Sequence, residues 1–399
     1  MTILSASLSR IKPSPTMAVV KKATELKAAG KDIISLGAGE PDFDTPDNVK
    51  QAGIDAIKSG QTKYTIVDGT VELKRAIIAK FKRENNLSYN EKQVTVGVGG
   101  KHVIFNAILA TINPGDEVII PAPYWVSYPD IVLLAGGTPK IIECDESNDF
   151  KVSPEQIEKS ITKNTKWIIL NSPSNPTGSV YSEQELISIG KVLEKFPQVL
   201  IMSDDIYEHV LYDDLKFFTI AQVPELFSRT LTINGLSKAY AMTGWRVGYA
   251  GGPEDLIQAI GKIQSQSTTN TSSISQAAAV EALNGVQDFI KPRSDAFKER
   301  RDFVVKKLNT IKGLSCKNPQ GAFYVFPNCK DCIGKKDKVG KEILNDTDFV
   351  TSLLENTGVA VVQGSAFGSE GYFRISYATS MDNLVKALDK IESYCKELV

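Results

Sequence analysis

Lys238 stands in the run Asn234-Gly-Leu-Ser-Lys-Ala-Tyr-Ala-Met-Thr-Gly-Trp-Arg-Val-Gly248, after an apolar stretch from Thr230 to Ile233. Arg246 follows on the next apolar stretch, and Asp204-Asp205-Ile206-Tyr207 and Asn175-Pro-Thr-Gly178 lie upstream. A lysine amine forms an imine with an aldehyde. A carboxylate keeps a heterocyclic nitrogen protonated, so that the ring accepts electrons, and an arginine takes a phosphate. A lysine, an acid, a phenol, an amide and an arginine, each near the end of a predicted strand, are together what pyridoxal phosphate requires of a protein.

Other residues are read against plainer roles. Gly97-Val-Gly-Gly-Lys101 follows a predicted strand and opens a helix, where backbone amides bind phosphate. The dinucleotide fingerprint G-x-G-x-x-G fails there, because His102 stands in the third glycine position. A P-loop fails as well, with Thr95 in place of its first glycine. An Asp beyond a strand also serves as a helix cap, which is the plain reading of Asp204. Trp125 suits a core as well as a ligand ring, and Arg246 suits a surface. Arg374 lies within an apolar strand, where a guanidinium needs a partner: a ligand carboxylate or a structural acid. The joint occurrence of these residues in this order favours the cofactor site.

The elements that must position them alternate. Strands are predicted at Val94–Val98, Glu117–Pro121, Pro139–Cys144, Trp167–Leu170, Val199–Met202, Leu231–Ile233 and Val247–Ala250. Helices are predicted at Lys101–Ile112 and Tyr124–Ala135, after the Ser153-Pro154 start, and at Ser182–Lys195. Near-continuous apolar strands separated by helices predict an α/β fold with a mainly parallel sheet covered on both faces. Ligands of such sheets sit beyond the carboxyl ends of the strands. Gly99, Trp125, Asn175, Asp204 and Lys238 all fall there. A long charged helix, Asp288 to Ile311, then leads to a smaller α+β domain. Its strands are predicted at Phe323–Phe326, Val359–Val362 and Tyr372–Ser376, and its helices at Thr347–Asn356 and Met381–Lys396. The expected division is an N-terminal segment 1–46 packing with the small domain, a large domain 47–287, and a small domain 288–399.

Composition narrows the class. Of 399 residues, 42% are hydrophobic and 23% charged, as in ordinary globular chains. Lys and Arg number 46 against 47 Asp and Glu, so neither nucleic acid nor an anionic membrane is an expected partner. No apolar run reaches the ~20 residues of a membrane span. Met1 to Pro15 lacks the apolar core of a secretory signal. Five scattered cysteines read as free thiols in a reducing compartment, the cytoplasm. Cys329-Lys-Asp-Cys332 has the spacing of half a zinc site without a matching second pair, so no metal is expected.

Taken together, the chain resembles the fold-type I pyridoxal-phosphate enzymes, and among them the class I aminotransferases. The resemblance rests on Gly37-Ala-Gly-Glu-Pro-Asp-Phe-Asp-Thr-Pro46, Tyr64-Thr-Ile-Val-Asp-Gly69 and Pro123-Tyr-Trp-Val-Ser-Tyr128. Asn171-Ser-Pro-Ser-Asn-Pro-Thr-Gly178, Ser237-Lys to Arg246 and Gly364-Ser-Ala-Phe-Gly368 complete it. It implies a large domain with a seven-stranded, mainly parallel sheet plus a small α+β domain. Lys238 is then the imine lysine and proton shuttle, and Asp204 the partner of the pyridinium nitrogen. Tyr207 and Asn175 contact the ring oxygen. Ser237, Arg246, Gly99 and the amides of Gly100 and Lys101 cradle the phosphate, and Trp125 stacks on the ring. Arg374, Gly39 and Asn175 hold the substrate α-carboxylate. Tyr64 reaches the phosphate of a neighbouring subunit, which implies a homodimer with shared sites.

The nearest subgroup resembles the prokaryotic-type aspartate aminotransferases, some of which also use prephenate. Enteric and animal members place an arginine on the substrate side-chain carboxylate, but Ser265-Gln-Ser-Thr-Thr-Asn-Thr271 contains none. The subgroup uses a lysine at the position of Lys101, and Thr16 matches a position linked there to prephenate. The expected substrates are therefore amino acids and keto acids, with aspartate and 2-oxoglutarate foremost. Alternatives on the same scaffold are a C–S lyase and an aromatic or alanine aminotransferase, which the cofactor residues do not separate. A regulator that keeps the domain as an effector sensor is a non-enzyme alternative. It needs an added DNA-binding segment, which the balanced charge does not favour.

Overall fold

The computed structural model describes residues 3–399, so Met1 and Thr2 of the predicted N-terminal segment lie outside the described residues. Its largest sheet has seven strands. In spatial order they are Val94–Gly97, Gly248–Gly251, Thr230–Gly235, Leu200–Asp204, Thr165–Asn171, Glu117–Ala122 and Thr138–Glu143. The five from Thr230–Gly235 onward pair in parallel, whereas Gly248–Gly251 runs antiparallel to both its neighbours.

The apolar runs form strands because both faces are buried. Val118, Ile120, Trp167, Ile169 and Met202 enter one core layer. Their alternate neighbours Ile119, Ile168, Leu170 and Ile201 enter the other. This period-2 division of a continuous apolar run is what a doubly covered sheet produces. The helices start where capping groups occur: Ser153 with Gln156, and Ser182 with Glu185, each form a reciprocal capping box.

The C-terminal part packs around a core that runs from Phe297 through Leu398 and takes in Ile34 and Leu36, together with Tyr207, Val210 and Tyr212 from the segment after Leu200–Asp204. A three-stranded antiparallel sheet orders Val362–Gln363, Phe373–Ser376 and Tyr324–Val325. Ile34–Ser35 pairs in parallel with Val359–Ala360, which ties the N-terminal segment to this part.

Three sequence expectations change in detail. The predicted run Val359–Val362 divides at Val361, because its halves pair with different partners. Phe323–Phe326 contracts to Tyr324–Val325. The helix expected from Tyr124 starts at Ser127, so Tyr124 and Trp125 lie in the loop before it. Their rings pack against the core layer of Val118 and Ile120 and form no helix face.

A buried ionic network ties the helix Val71–Asn85 to the turn after Leu200–Asp204. Lys80 is fully buried and its ammonium donates to the Glu208 carboxylate. It also donates to Asn85 Oδ1 at 2.8 Å, and Asn85 Nδ2 donates to Glu208 Oε2 at 2.8 Å. Burial opposes the charge on Glu208, but the attraction of Lys80 and His209 outweighs it and holds the carboxyl below its usual range. Tyr207 is carried on the segment so fixed. Among the described residues no helix is long and apolar enough to cross a membrane.

Candidate active site

A cavity of about 550 Å³ opens at the carboxyl ends of the strands, between the large sheet and the C-terminal part. Sheet topology delivers most of its walls. Asp204 is the last residue of its strand, and Trp125, Asn175 and Lys238 follow their strands within four residues. Arg374 enters from the small sheet and Gly39 from the N-terminal segment. Gly100 and Lys101 begin the helix Gly100–Thr111, ahead of its first intrahelical amide bonds.

Lys238 Nζ donates to Gly39 O at 2.6 Å. Burial is the main force on its amine, and Arg374 and Arg246 add to it against the opposing Glu40 and Asp204. The result is a lysine brought down to about 8. Asp204 is buried, and that burial raises its carboxyl above the usual range. The Tyr128 hydroxyl opposes the rise by donating to Asp204 Oδ2 at 2.5 Å, as do the Ile206 amide and Lys238. Asn171 Nδ2 holds the Asp204 carbonyl at 2.8 Å while its Oδ1 receives the Asn175 amide at 2.9 Å. One asparagine thereby fixes two adjacent strand ends.

Arg374 is 2% exposed. Its Nη1 donates to Asn175 Oδ1 at 2.8 Å and its Nη2 to Gly37 O at 2.6 Å. Among the described residues no acidic side chain pairs with it, and its buried Nε has no hydrogen-bond partner. Of the two partners the sequence allowed, a structural acid is therefore not the one present. Such a guanidinium stays charged even though burial lowers its affinity for the proton. At another wall, Lys101 Nζ lies 4.7 Å over the Trp125 ring, and burial, then Arg246, lowers its amine. Thr16 lines the cavity near it.

The wall expected to hold a phosphate is shaped by glycine. Gly99 has φ +85°, and a Cβ there would lie 2.3 Å from Arg246 Nη2. Arg246 is itself in the left-handed region at φ 56° and donates through Nη1 to Thr243 O at 2.8 Å. Ser237 completes this wall.

The structure thus gathers Lys238, Asp204, Tyr207, Asn175, Trp125, Ser237, Arg246, Gly100, Lys101, Gly39, Thr16 and Arg374 around one cavity. Gly99 lies directly behind Arg246. Tyr64 does not line the cavity and is 88% exposed. Ser265 to Thr271 contributes nothing to the wall. Cys329 and Cys332 are buried in the C-terminal core and do not line the cavity.

Sequence reasoning missed Tyr128, Asn171, Glu40 and Tyr324. Tyr128 had a signal: it lies one helical turn from Trp125, and their rings meet edge to face at 5.3 Å. Tyr324 had none, because a tyrosine in an apolar strand reads as core.

The sequence model of the class I and II aminotransferases matches residues 31–391. The chain is 59% identical over 399 residues, all of both chains, to the aspartate/prephenate aminotransferase of Cereibacter sphaeroides. It is 53% identical to the aspartate aminotransferase of Rhizobium meliloti, over 99% of this chain and 96% of that one. Among solved structures, the aspartate aminotransferase from Rhizobium meliloti superposes with a TM-score of 0.97 at 52% identity, covering both chains fully. The Thermus thermophilus aspartate aminotransferase with maleate gives 0.93 at 41% identity, over 99% of this chain and 100% of that one.

Proposed function

The chain belongs to the class I and II aminotransferases, and we propose that it moves an amino group between L-aspartate and 2-oxoglutarate, giving oxaloacetate and L-glutamate, and that it also accepts prephenate. The enzymes of this family depend on pyridoxal phosphate, and so does this one. One observation carries the site reading: a lysine amine near 8 shares a cavity with a buried carboxylate and a buried arginine that has no acid partner.

The residues present fit the cofactor. A Cβ at position 99 would displace Arg246 from the cradle, and the helix that opens at Gly100 brings its free amides to the same wall. Lys238 would hold the aldehyde covalently, and Asp204 the ring nitrogen. Tyr207 and Asn175 would hold the ring oxygen, and Trp125 one ring face. Ser237, Arg246, Gly100 and Lys101 would hold the phosphate. When bound, the cofactor supplies an aldehyde for amines and a ring that takes up electron density.

The chain's own residues do the rest. Arg374 binds the substrate α-carboxylate through a planar pair of hydrogen bonds, with Asn175 and Gly39 beside it. This fixes the α-carbon hydrogen toward Lys238 Nζ. An ordinary lysine is protonated at neutral pH, but this one is tuned close to the working range. Its Nζ takes the α-proton and holds it for return. Tyr128 donates to Asp204 and so favours the carboxylate form that would pair with the ring nitrogen. Lys101, at the other wall, receives the second carboxylate of a dicarboxylic substrate, and Thr16 contacts the larger acceptor.

The exposed Tyr64 and Ile66, at 88% and 57%, favour a homodimer in which Tyr64 reaches the partner's phosphate. Five free cysteines favour a reducing compartment, the cytoplasm. The chain divides functionally at 46/47 and 287/288.

Initial rates with aspartate or glutamate as donor, and oxaloacetate, 2-oxoglutarate or prephenate as acceptor, test the specificity. The expected result is efficient exchange among the four-carbon and five-carbon dicarboxylates, with prephenate also turned over. Poor rates with both aspartate and oxaloacetate would remove the specificity and leave the cofactor site. Release of ammonia in place of transfer would favour a lyase.

A further inference from the structure

The Tyr207 and Tyr324 hydroxyls meet at 2.8 Å, from residues 117 apart in sequence. Tyr207 comes from the turn after Leu200–Asp204, and Tyr324 from the short strand Tyr324–Val325 of the small sheet. Both are buried, Tyr324 fully. Each phenol carries one proton, so one hydroxyl donates and the other accepts. On its far side the Tyr324 hydroxyl faces the Gly39 α-carbon, close enough that a Cβ there would lie 2.6 Å from it. Tyr207 is its one hydrogen-bond partner among the described residues. Both tyrosines line the cavity, and Tyr207 does so from the turn after Asp204, with Asn175 and Lys238 in the wall.

Resting on the cofactor reading above, we propose that Tyr324 is a positioning residue whose hydroxyl donates to Tyr207 and so turns the Tyr207 proton onto the ring oxygen of the bound cofactor. With the ring oxygen as acceptor beside Tyr207, this order gives both protons a partner. In the reverse order Tyr207 spends its proton on Tyr324, and the ring oxygen loses a donor. Two hydroxyls donating in sequence polarise one another, so Tyr207 becomes a stronger donor than a lone phenol. The Tyr324 ring is separately occupied: the Arg374 guanidinium lies 4.6 Å over it. Removing the hydroxyl alone therefore leaves the arginine's support in place.

The test is a pH titration of the visible absorbance of the bound cofactor in the holoenzyme. A weaker donor at the ring oxygen makes the cofactor chromophore hold its proton to higher pH. Tyr324→Phe is expected to raise the midpoint by a factor of about 3 in proton affinity. Tyr207→Phe raises it further, and the double variant matches Tyr207→Phe because both act through one bond. Tyr324→3-fluorotyrosine, a more acidic donor of nearly the same size, moves the midpoint down. A packing role for Tyr324 would change thermal stability and leave the midpoint where it is.

An unmoved midpoint in Tyr324→Phe, or additive shifts in the double variant, overturns the role of Tyr324 while the cofactor site stands on the Tyr207→Phe shift. A wild-type protein that takes up no cofactor overturns both.

Discussion

Lys238 Nζ and the Gly39 carbonyl oxygen meet at 2.6 Å across 199 residues of sequence. The contact joins the loop after Thr230–Gly235 to the N-terminal segment that pairs with Val359–Ala360. The reactive amine is thereby held by a part of the chain outside its own sheet. A neutral backbone oxygen restrains the amine's position without adding the full negative charge that would return it to 10.5.

The depressed lysine carries a stability signature. Its folded-state value near 8 lies below the 10.5 of the unfolded chain, so between those values the unfolded state binds more protons and stability rises with pH. The penalty is complete below pH 8 and gone above 10.5. Replacing Lys238 by Met in the cofactor-free protein removes a charge penalty of up to about 3 kcal/mol and forfeits a hydrogen bond of about 1 kcal/mol. The variant should therefore be more stable than wild type at pH 7 and lose that advantage by pH 10.5, as read by urea unfolding at both values. It should also have no transferase activity. Equal stability differences at both pH values would show that the amine is not depressed.

Tyr128 sets the charge on Asp204. Burial pushes that carboxyl up, and the donated phenol proton pulls it back. In Tyr128→Phe the carboxyl rises further, so the acid limb of the kcat/KM profile should move to higher pH. A hydrogen bond to a charged group contributes about 1.5 kcal/mol, so kcat/KM at neutral pH should fall about tenfold. Steady-state rates from pH 5 to 9 check this. A fall without any movement of the limb would assign Tyr128 to packing against Trp125.

The sheet was legible because its physics is local: continuous apolar strands between amphipathic helices leave few arrangements. The residues that line the cavity were legible for the same reason, since a residue just past such a strand has to face the crevice. Tyr324 was illegible because its role depends on a hydroxyl pairing with Tyr207 across two parts of the molecule. The start of the helix at Ser127 was illegible too, because Tyr124 and Trp125 are as apolar as a helix face. Tyr64 shows a further limit: its 88% exposure in one chain gives it no partner within that chain.

Gly99 tests the proposed phosphate cradle without replacing a charged residue. Alanine there is strained at φ +85°, and its Cβ would fall 2.3 Å from Arg246 Nη2. The guanidinium is held to Thr243 O and is the flexible end of the contact, so it moves. Gly99→Ala should keep the fold and weaken pyridoxal-phosphate binding by at least about tenfold, the equivalent of one lost charged hydrogen bond. A fluorescence titration of the cofactor-free protein measures it. Unchanged affinity would mean that Arg246 does not hold the phosphate.

Arg374 is the most demanding case, because its charge is buried with only neutral partners. Asn175 and Gly37 orient two of its nitrogens and leave Nε bare. That arrangement is incomplete until an anion arrives, and a planar carboxylate completes it. Removing one side of a desolvated ion pair costs about 3–5 kcal/mol, so Arg374→Ala should lower kcat/KM by about two to four powers of ten. Arg374→Lys should recover little, since an ammonium cannot present two parallel donors. The same substitution acts on Lys238. Arg374 is the strongest charge holding that amine down, so its loss raises the amine toward 10.5 and should shift the acid limb of the residual activity to higher pH. Rates with aspartate across pH 6 to 10 read both effects together. A loss below about fivefold, or ~1 kcal/mol, with an unmoved limb would show that the α-carboxylate binds elsewhere.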